Sequence, residues 1–517
     1  MAPSAPNRAD VACFVGYVKR RGGPLPSGVR AWLDDHGWLS PPYRRTSAAE
    51  LLDVPAPIDS WESFVRLYDW ETQRVDDPRV KFASYMGAAV RSFFAQGGRR
   101  CYIVRVGDMW EPLAAPATPA ALLAALVPGF PWSITSSEVD QSTWHGVGHL
   151  FGIPDVSFLC LPDLPSIVAA EPIPVPSVNE SLGIEERFTE CSSNEEAAED
   201  LPPRRLVRAP RCDTAGYSMW ADAVELLATF LRQRRREVQL VAAVPMPLQG
   251  TQAEGAFAPI IKELIDRRIP PTMNPASLDA DSPRGMASSF VQLAYPWVRS
   301  PGSARLPEGL ESPDAVLVGV LARNAVMRGT FRSAAGQPLG DVFDVYPLLR
   351  PDHLRAMETS SAQRYATAFE ERVSILGHSP SGMRLLSDVT PSVVESYRSA
   401  SVHRLVSVVA RAARRLGEEI TFDVSGETLW ARVREVLRTL LTGLLQAGAL
   451  RGASAAEAFR VRCDRTTMTQ SDIDAGRLIA HVVFDAAAPI ERIRVILELD
   501  DAGQLTLSAA DNAQEAA

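Results

Sequence analysis

Between Glu427 and Leu499 the order of apolar and polar residues leaves little choice of local structure. Leu429, Val433, Leu437, Leu440, Leu441 and Leu444 recur at helical spacing, which lays one apolar stripe along a helix and leaves Arg432, Arg434 and Arg438 off it. Gly448 ends that helix. Ser454 followed by Glu457 has the spacing of a capping box and predicts one short helical turn. Phe459, Val461 and Cys463 then alternate with Arg460 and Arg462, as in a half-buried strand. After a Thr-rich turn from Thr466 to Asp474, two more strands are predicted, Leu478 to Phe484 and Ile493 to Leu499.

Upstream the chain alternates helical and extended patterns. Val11 to Val18 reads as a strand, and Gly22 to Gly28 as a loop. Trp61 to Tyr68 has helical spacing behind a Ser60 cap; Tyr85 to Phe94 is a helix closed by Gly97 and Gly98; Arg100 to Val106 is a strand. Val156 to Leu161 is a short buried strand. Trp220, Val224, Leu227 and Leu231 mark a helix with Arg232, Arg234, Arg235 and Arg236 on its other face, and Val238 to Val244 follows as a strand. Helix into buried strand is the α/β pattern. Glu171 to Pro210 is rich in Pro, Ser and Glu and predicts a solvated or disordered excursion. Tyr397 to Leu416 carries Val402, Leu405, Val406, Val409 and Ala413 on one face, so Arg404, Arg411, Arg414 and Arg415 are expected on an exposed basic flank.

Composition removes several functional classes. The 517 residues are 46% hydrophobic and 22% charged, enough for two or three domains with a sizeable core. A formal net charge of −9 argues against chain-wide attraction to nucleic acid, and the arginine-rich helices lack interleaved aromatics. No run approaches the roughly 20 apolar residues of a membrane span, and MAPSAPNRAD has no signal pattern, so a cytoplasmic protein is expected. Cys13, Cys101, Cys160, Cys191, Cys212 and Cys463 are scattered without a C-x-x-C pair, as ordinary buried thiols would be.

Catalytic patterns are incomplete. His145 and His149 stand four apart as in a zincin helix, but Gly146 replaces the required Glu and two glycines weaken the helix. The corresponding enzyme reading is a metal-dependent α/β hydrolase using His145, His149 and Asp155 or Asp163. Gly23 to Gly28 imitates half a P-loop, yet Val29 and Arg30 follow where Lys and Ser/Thr are needed. Gly377 to Gly382 places Pro380 beside the serine of a would-be nucleophile elbow. No catalytic, cofactor or metal site is expected.

A family resemblance rests on two separate runs. The first comprises Leu429-Trp430, the Gly448-Ala449-Leu450-x-Gly452 turn, Glu457-Ala458-Phe459, Cys463-Asp464 and Asp472-Ile473-x-x-Gly476. The second comprises the first strand with its Gly turn, the Trp61 helix and the FFAQGGRRCYIVRV unit. AYPWV at Ala294 to Val298 and LVGVLARN at Leu317 to Asn324 add to it, while RLLSDVT at Arg384 departs from the usual Arg-Thr-Leu-Ser element. In this order these features resemble contractile tail sheath proteins of phages and bacterial contractile injection systems.

The resemblance implies a non-enzymatic structural subunit of an α/β class. Its core domain would be discontinuous, built from residues 11–111 and 345–500 with an outer α/β domain, 112–344, inserted, between short arms at 1–10 and 501–517. It implies stacked hexameric rings around an inner tube, with baseplate and terminator proteins as further partners, in a tail or tail-like particle assembled in the cytoplasm and without membrane insertion or nucleic acid. Strands of Ile493, Val495, Leu497 and Leu499, with Leu505 and Leu507, would pass between subunits. Arg404, Arg411, Arg414 and Arg415 would face the inner tube or a neighbour, and His145 and His149 would lie at the surface or a helix end. The first ten residues carry no alternating pattern with which to join a neighbour's sheet, which leaves two expectations, a specialised terminal or baseplate-proximal ring or a main sheath whose rings are linked mainly through the C-terminal arm.

Overall fold

Long apolar runs at regular intervals can be buried only as strands covered on both faces, and the computed structural model assembles them so. It describes residues 8–39, 46–73, 81–109, 118–170, 208–248, 286–349, 371–392, 394–420, 423, 426–487, 493–499 and 505–509, the last two segments by backbone alone. The first sheet has eight strands: β1 (Val11–Tyr17), β2 (Pro55–Ile58), β3 (Arg100–Gly107), β4 (Phe158–Cys160), β5 (Gln239–Ala243), β6 (Val291–Tyr295), β7 (Ser374–Ser379) and β8 (Gly382–Leu385). Their order is β8-β7-β6-β5-β4-β1-β3-β2. The six strands from β7 to β3 run parallel, and β8 and β2 close the two sides antiparallel. β1, β4, β5 and β6 are buried at every residue, as parallel strands between two helical layers must be.

The helices carry their own stop and start chemistry. α1 (Tyr85–Ala95) begins where the Ser84 hydroxyl accepts the Gly87 N–H at 2.9 Å. α2 (Thr214–Arg234) begins where Asp213 accepts the Gly216 N–H at 2.8 Å. α3 (Asp314–Met327) crosses α1 closely at Gly319, where an added Cβ would stand 2.5 Å from Gln96 Cβ and 2.7 Å from the Phe93 carbonyl.

A second core forms around α4 (Ala400–Ile420) and α5 (Glu427–Gln446). Against them lies a four-stranded antiparallel meander, β9 (Phe459–Arg462), β10 (Leu478–Phe484), β11 (Ile493–Leu499) and β12 (Leu505–Ala509). Of the predicted stripe of α5, Leu429, Val433, Leu437 and Leu441 are all under a tenth exposed, as is Trp430, while Leu440 and Leu444 are half-buried at its margin. The capping box, however, is elsewhere. Ser454 makes no side-chain cap, and the reciprocal pair is Thr469 with Asp472, opening a short helix at Gln470–Asp474 inside the expected turn.

The mixed α/β class is as expected, but the division of the chain differs. β4, β5 and β6, all from the supposed insertion 112–344, lie between β1 and β7 in one sheet with a continuous core, while residues from Val402 onward form the separate second core. A strand buried on both faces carries no mark of which sheet it joins, so an insertion and a continuing sheet read alike in sequence. The excursion 171–210, Cys191 and the arms 1–10 and 501–517 fall wholly or largely outside the described residues; the other five cysteines are buried and free.

Candidate functional site: the α4 seam and the sheet edges

α4 has two working faces. Val402, Leu405, Val409, Ala413 and Leu416 pack into the second core, whereas His403, Arg404, Ser407, Arg411 and Arg414 turn toward the first. Arg411, 7% exposed, donates from Nη2 to the Val156 carbonyl at 2.9 Å, the Ser157 hydroxyl at 3.0 Å and the Glu237 carbonyl at 3.1 Å, and from Nη1 to the Arg8 carbonyl. Those groups immediately precede β1, β4 and β5, three adjacent strands, where backbone carbonyls have run out of ladder partners. One guanidinium therefore ties three strand ends to α4.

Its neighbours on the helix behave alike. Arg404 grips Asp388 through both nitrogens, at 3.0 and 2.6 Å, and the carboxylate also accepts from Gln292 at 2.9 Å and the Ala334 N–H at 2.7 Å. Burial pushes the Asp388 carboxyl up, but the charge and hydrogen bonds of Arg404 outweigh it and hold it below the usual range. Arg414 bonds Glu138 at 2.9 Å and stands 3.4 Å from Glu237, which Arg235 meets at 3.0 Å. The expected exposed basic flank is thus corrected. Arg404, Arg411 and Arg414 sit in an intramolecular seam, and of the four only Arg415 is exposed, at 51%, beside Glu419. Helical periodicity separates arginines from an apolar stripe, but it cannot say whether water or a second core covers them.

Of the two histidines, His145 is exposed at the start of a 3-10 helix, as expected, and His149 is not. Residues Gly146–Gly152 form a 3-10 helix, and His149 is fully buried, its Nε2 3.1 Å from Asp53. His145 Nδ1 meets the other oxygen of the same carboxylate, and the Gly146 N–H donates to it at 2.9 Å. Burial raises the Asp53 carboxyl, yet the hydrogen bond and charge of His149, then Gly146 and His145, bring it down to about 2. Asp53 lies on a loop with left-handed φ and has no sequence pattern to announce it. Replacing Asp53 with alanine should strand the buried His149 ring and cost about 2 kcal/mol, read in thermal denaturation, while the half-exposed His145 tolerates alanine within about 0.5 kcal/mol.

The other acids of the hydrolase reading are occupied elsewhere. Asp155 accepts the Tyr102 hydroxyl at 3.3 Å, and Asp163 accepts the Tyr17 N–H at 2.8 Å. In a doubly wound sheet the ligand crevice opens beyond the carboxyl ends of the strands where the order reverses, here between β1 and β4. That place is filled: a Cβ on Gly16 would lie 2.2 Å from Asp163 Oδ2 and 2.9 Å from the Met86 methyl. Among the described residues no group of three or more His, Cys, Asp or Glu could hold a metal ion. Gly377 to Gly382 is the tight turn of the β7–β8 hairpin, with Ser379 paired to Gly382.

The edges of the two sheets are treated differently. β2 carries Pro55 and Pro57, and β8 is covered by residues 336–339, with the Gly336 N–H on Leu385 at 2.7 Å and the Leu339 N–H on Met383 at 3.0 Å, around Pro338. Proline and a covering segment prevent further strand pairing. Among the described residues the meander shows neither device. β9, with Arg460 and Arg462 exposed, and β12 are its edges, and neither contains proline. The residues expected to pass between subunits are here paired within the chain: Leu499 opposes Leu478 and Leu505, Val495 opposes Val482, and Leu497 opposes Leu507, with Ile493 opposite Phe484.

Among the described residues no helix is long and apolar enough to cross a membrane. No protein-family model and no curated protein sequence matches the chain. Solved structures do. A chain of the anti-feeding prophage (AFP) baseplate in the contracted state matches with a TM-score of 0.56 at 17% identity, covering 95% of this chain and 93% of that one. The AFP helical sheath in the contracted state matches with a TM-score of 0.53 at 19% identity, covering 95% of both chains. The contracted sheath complex of PVC, an extracellular contractile injection system, matches with a TM-score of 0.50 at 17% identity over 94% and 89%. Nearly the whole chain therefore carries the fold of these contractile injection system sheath and baseplate chains.

Proposed function

We propose that this chain is a structural subunit of a contractile sheath, which polymerises as stacked rings around an inner tube and contracts to drive the tube through a target envelope. The observation that carries this reading is the end-to-end match to contracted sheath chains, over nine-tenths or more of this chain. Protected edges on the large sheet and proline-free ones on the meander support it, since a subunit that polymerises by strand addition needs one receptive sheet and one inert one. Contraction on this reading is rigid-body rotation of subunits, with extended connections absorbing the change and no nucleotide required. The inner tube, baseplate and terminator proteins are the partners that follow from it.

Electron microscopy of the protein co-expressed with its tube protein tests the reading. Rods or stacked rings are expected, and a discrete particle that never polymerises would refute it. Deleting residues 501–517, which removes β12 and little of either described core, should leave a folded subunit that forms no long rods. Normal-length sheaths from the truncated chain would refute strand exchange through this end.

A further inference from the structure

We propose that α4 is a proton-sensitive latch, in which acidification loosens the seam between the two cores. The seam is buried but polar: His403, Arg404, Ser407 and Arg411 are 2%, 4%, 7% and 7% exposed. Apolar contacts hold α4 to the second core, so its attachment to the first depends on whether each desolvated polar group finds its partner. The three arginines do, on Asp388, on strand-end carbonyls, and on Glu138 and Glu237.

His403 has one ring nitrogen left over, as Arg411 has its Nε, and is the group on this face that a proton would charge. Its Nδ1 meets the Ser289 hydroxyl at 3.1 Å, its ring stands edge-on to Phe290 at 4.6 Å, and its Nε2 has no hydrogen-bond partner among the described residues. The nearest charge is the Arg404 cation on its own helix, already neutralised by Asp388; Ser289 and Phe290, the groups facing it before β6, are uncharged. A second ring proton would point at no acceptor and add a cation beside another. Burial, then Arg404, pushes the imidazole down from the ordinary 6.5 to about 3.

The pH window follows from that direction. A group depressed in the closed state contributes stability that is present above its open-state value of 6.5 and is lost as pH falls below it, because the open seam takes up the proton first. The carboxylates of the seam do not offset this. Asp388 is held below the usual range by Arg404, and Glu237, though raised by burial, is brought below it by Arg235 and Arg414. Glu138, Glu418, Asp10 and Asp155 complete the acids facing the arginines of the seam. Away from the seam, burial pushes Asp163 and Glu311 up to about 7, so these two favour the fold as pH falls through that value. Whole-chain melting therefore mixes opposite signs, and the test must be local.

Hydrogen exchange of the full-length chain, corrected for intrinsic rates, should show opening of peptides spanning 400–411 and 156–160 rising about tenfold from pH 7.5 to 5.5. In His403→Gln, which keeps a hydrogen-bonding side chain without a titrating ring, the same peptides should show no such rise. Equal pH slopes in the two proteins would overturn the latch. If His403→Gln does not fold, limited proteolysis of the wild type decides: cleavage in the connection before α4, normalised to an unstructured peptide, should accelerate at pH 5.5, and an unchanged rate would overturn the proposal.

Discussion

Replacing Arg404 with leucine should lower stability by about 3–5 kcal/mol, read as a shift in the midpoint of denaturant unfolding, whereas Arg415→Ala should change it by less than about 0.5 kcal/mol. The two residues lie on the same helix and carry the same charge. Only their surroundings differ. The Asp388 side chain is fully buried and depends on two guanidinium nitrogens, one amide, one hydroxyl and one backbone N–H. Removing the cation leaves a carboxylate in low dielectric with three neutral donors, and a leucine in its place recovers some packing but no charge. Arg415 makes an i,i+4 contact with Glu419 at 3.7 Å, both half in water, where such pairs count for little.

The pH dependence of that loss checks its cause. In the wild type Asp388 is depressed, so its contribution is present above the ordinary carboxyl range and is lost as pH falls through it. Without Arg404 the burial effect is opposed by neutral donors alone, the carboxyl binds its proton more readily in the folded state, and the deficit should narrow from pH 7.5 toward pH 5. A deficit below about 1 kcal/mol at pH 7.5 would mean that the seam is not what joins the two cores.

What could be read in the sequence was whatever a single element decides for itself. The α5 stripe, the helices behind Ser60 and from Tyr85, and the strands at Val11, Arg100, Val238 and Leu478 depend on neighbours three, four or two residues away, and they formed where expected. The seam depends on partners far along the chain. Arg411 finds Glu237 across 174 residues and Arg414 finds Glu138 across 276, so a flank that is basic by periodicity became an interior. Asp53 sits on an irregular loop 92 residues from His145, and nothing local marks it. The order of β4, β5 and β6 between β1 and β7 was hidden for the same reason: strand identity is local, strand neighbours are not. The close approach of Gly319, in LVGVLARN, to α1 has its partner far away in sequence and was hidden likewise.

Leu441→Asp should unfold the second core, while Val436→Asp, on the same helix, should leave it intact. Leu441 is fully buried against α4 and the meander, whereas Val436 is 44% exposed. The buried change removes a leucine contribution of about 1.5–3 kcal/mol and places a carboxylate where nothing apolar can solvate it. Arg438, three residues earlier, is exposed, and drawing it inward would desolvate a second charge to rescue the first. A total loss of several kcal/mol is comparable with the roughly 5–15 kcal/mol that holds an ordinary domain, and the second core has far fewer buried side chains than the first to absorb it. Because the cores meet mainly through a polar seam, with Phe331 packed across it, the damage should stop there. Limited proteolysis of Leu441→Asp should then digest α5, β9 and β10 while leaving a resistant fragment that ends near Leu385. Equal resistance of Leu441→Asp and Val436→Asp would show that α5 does not bury this stripe, and loss of the whole chain in Leu441→Asp would show that the two cores fold as one.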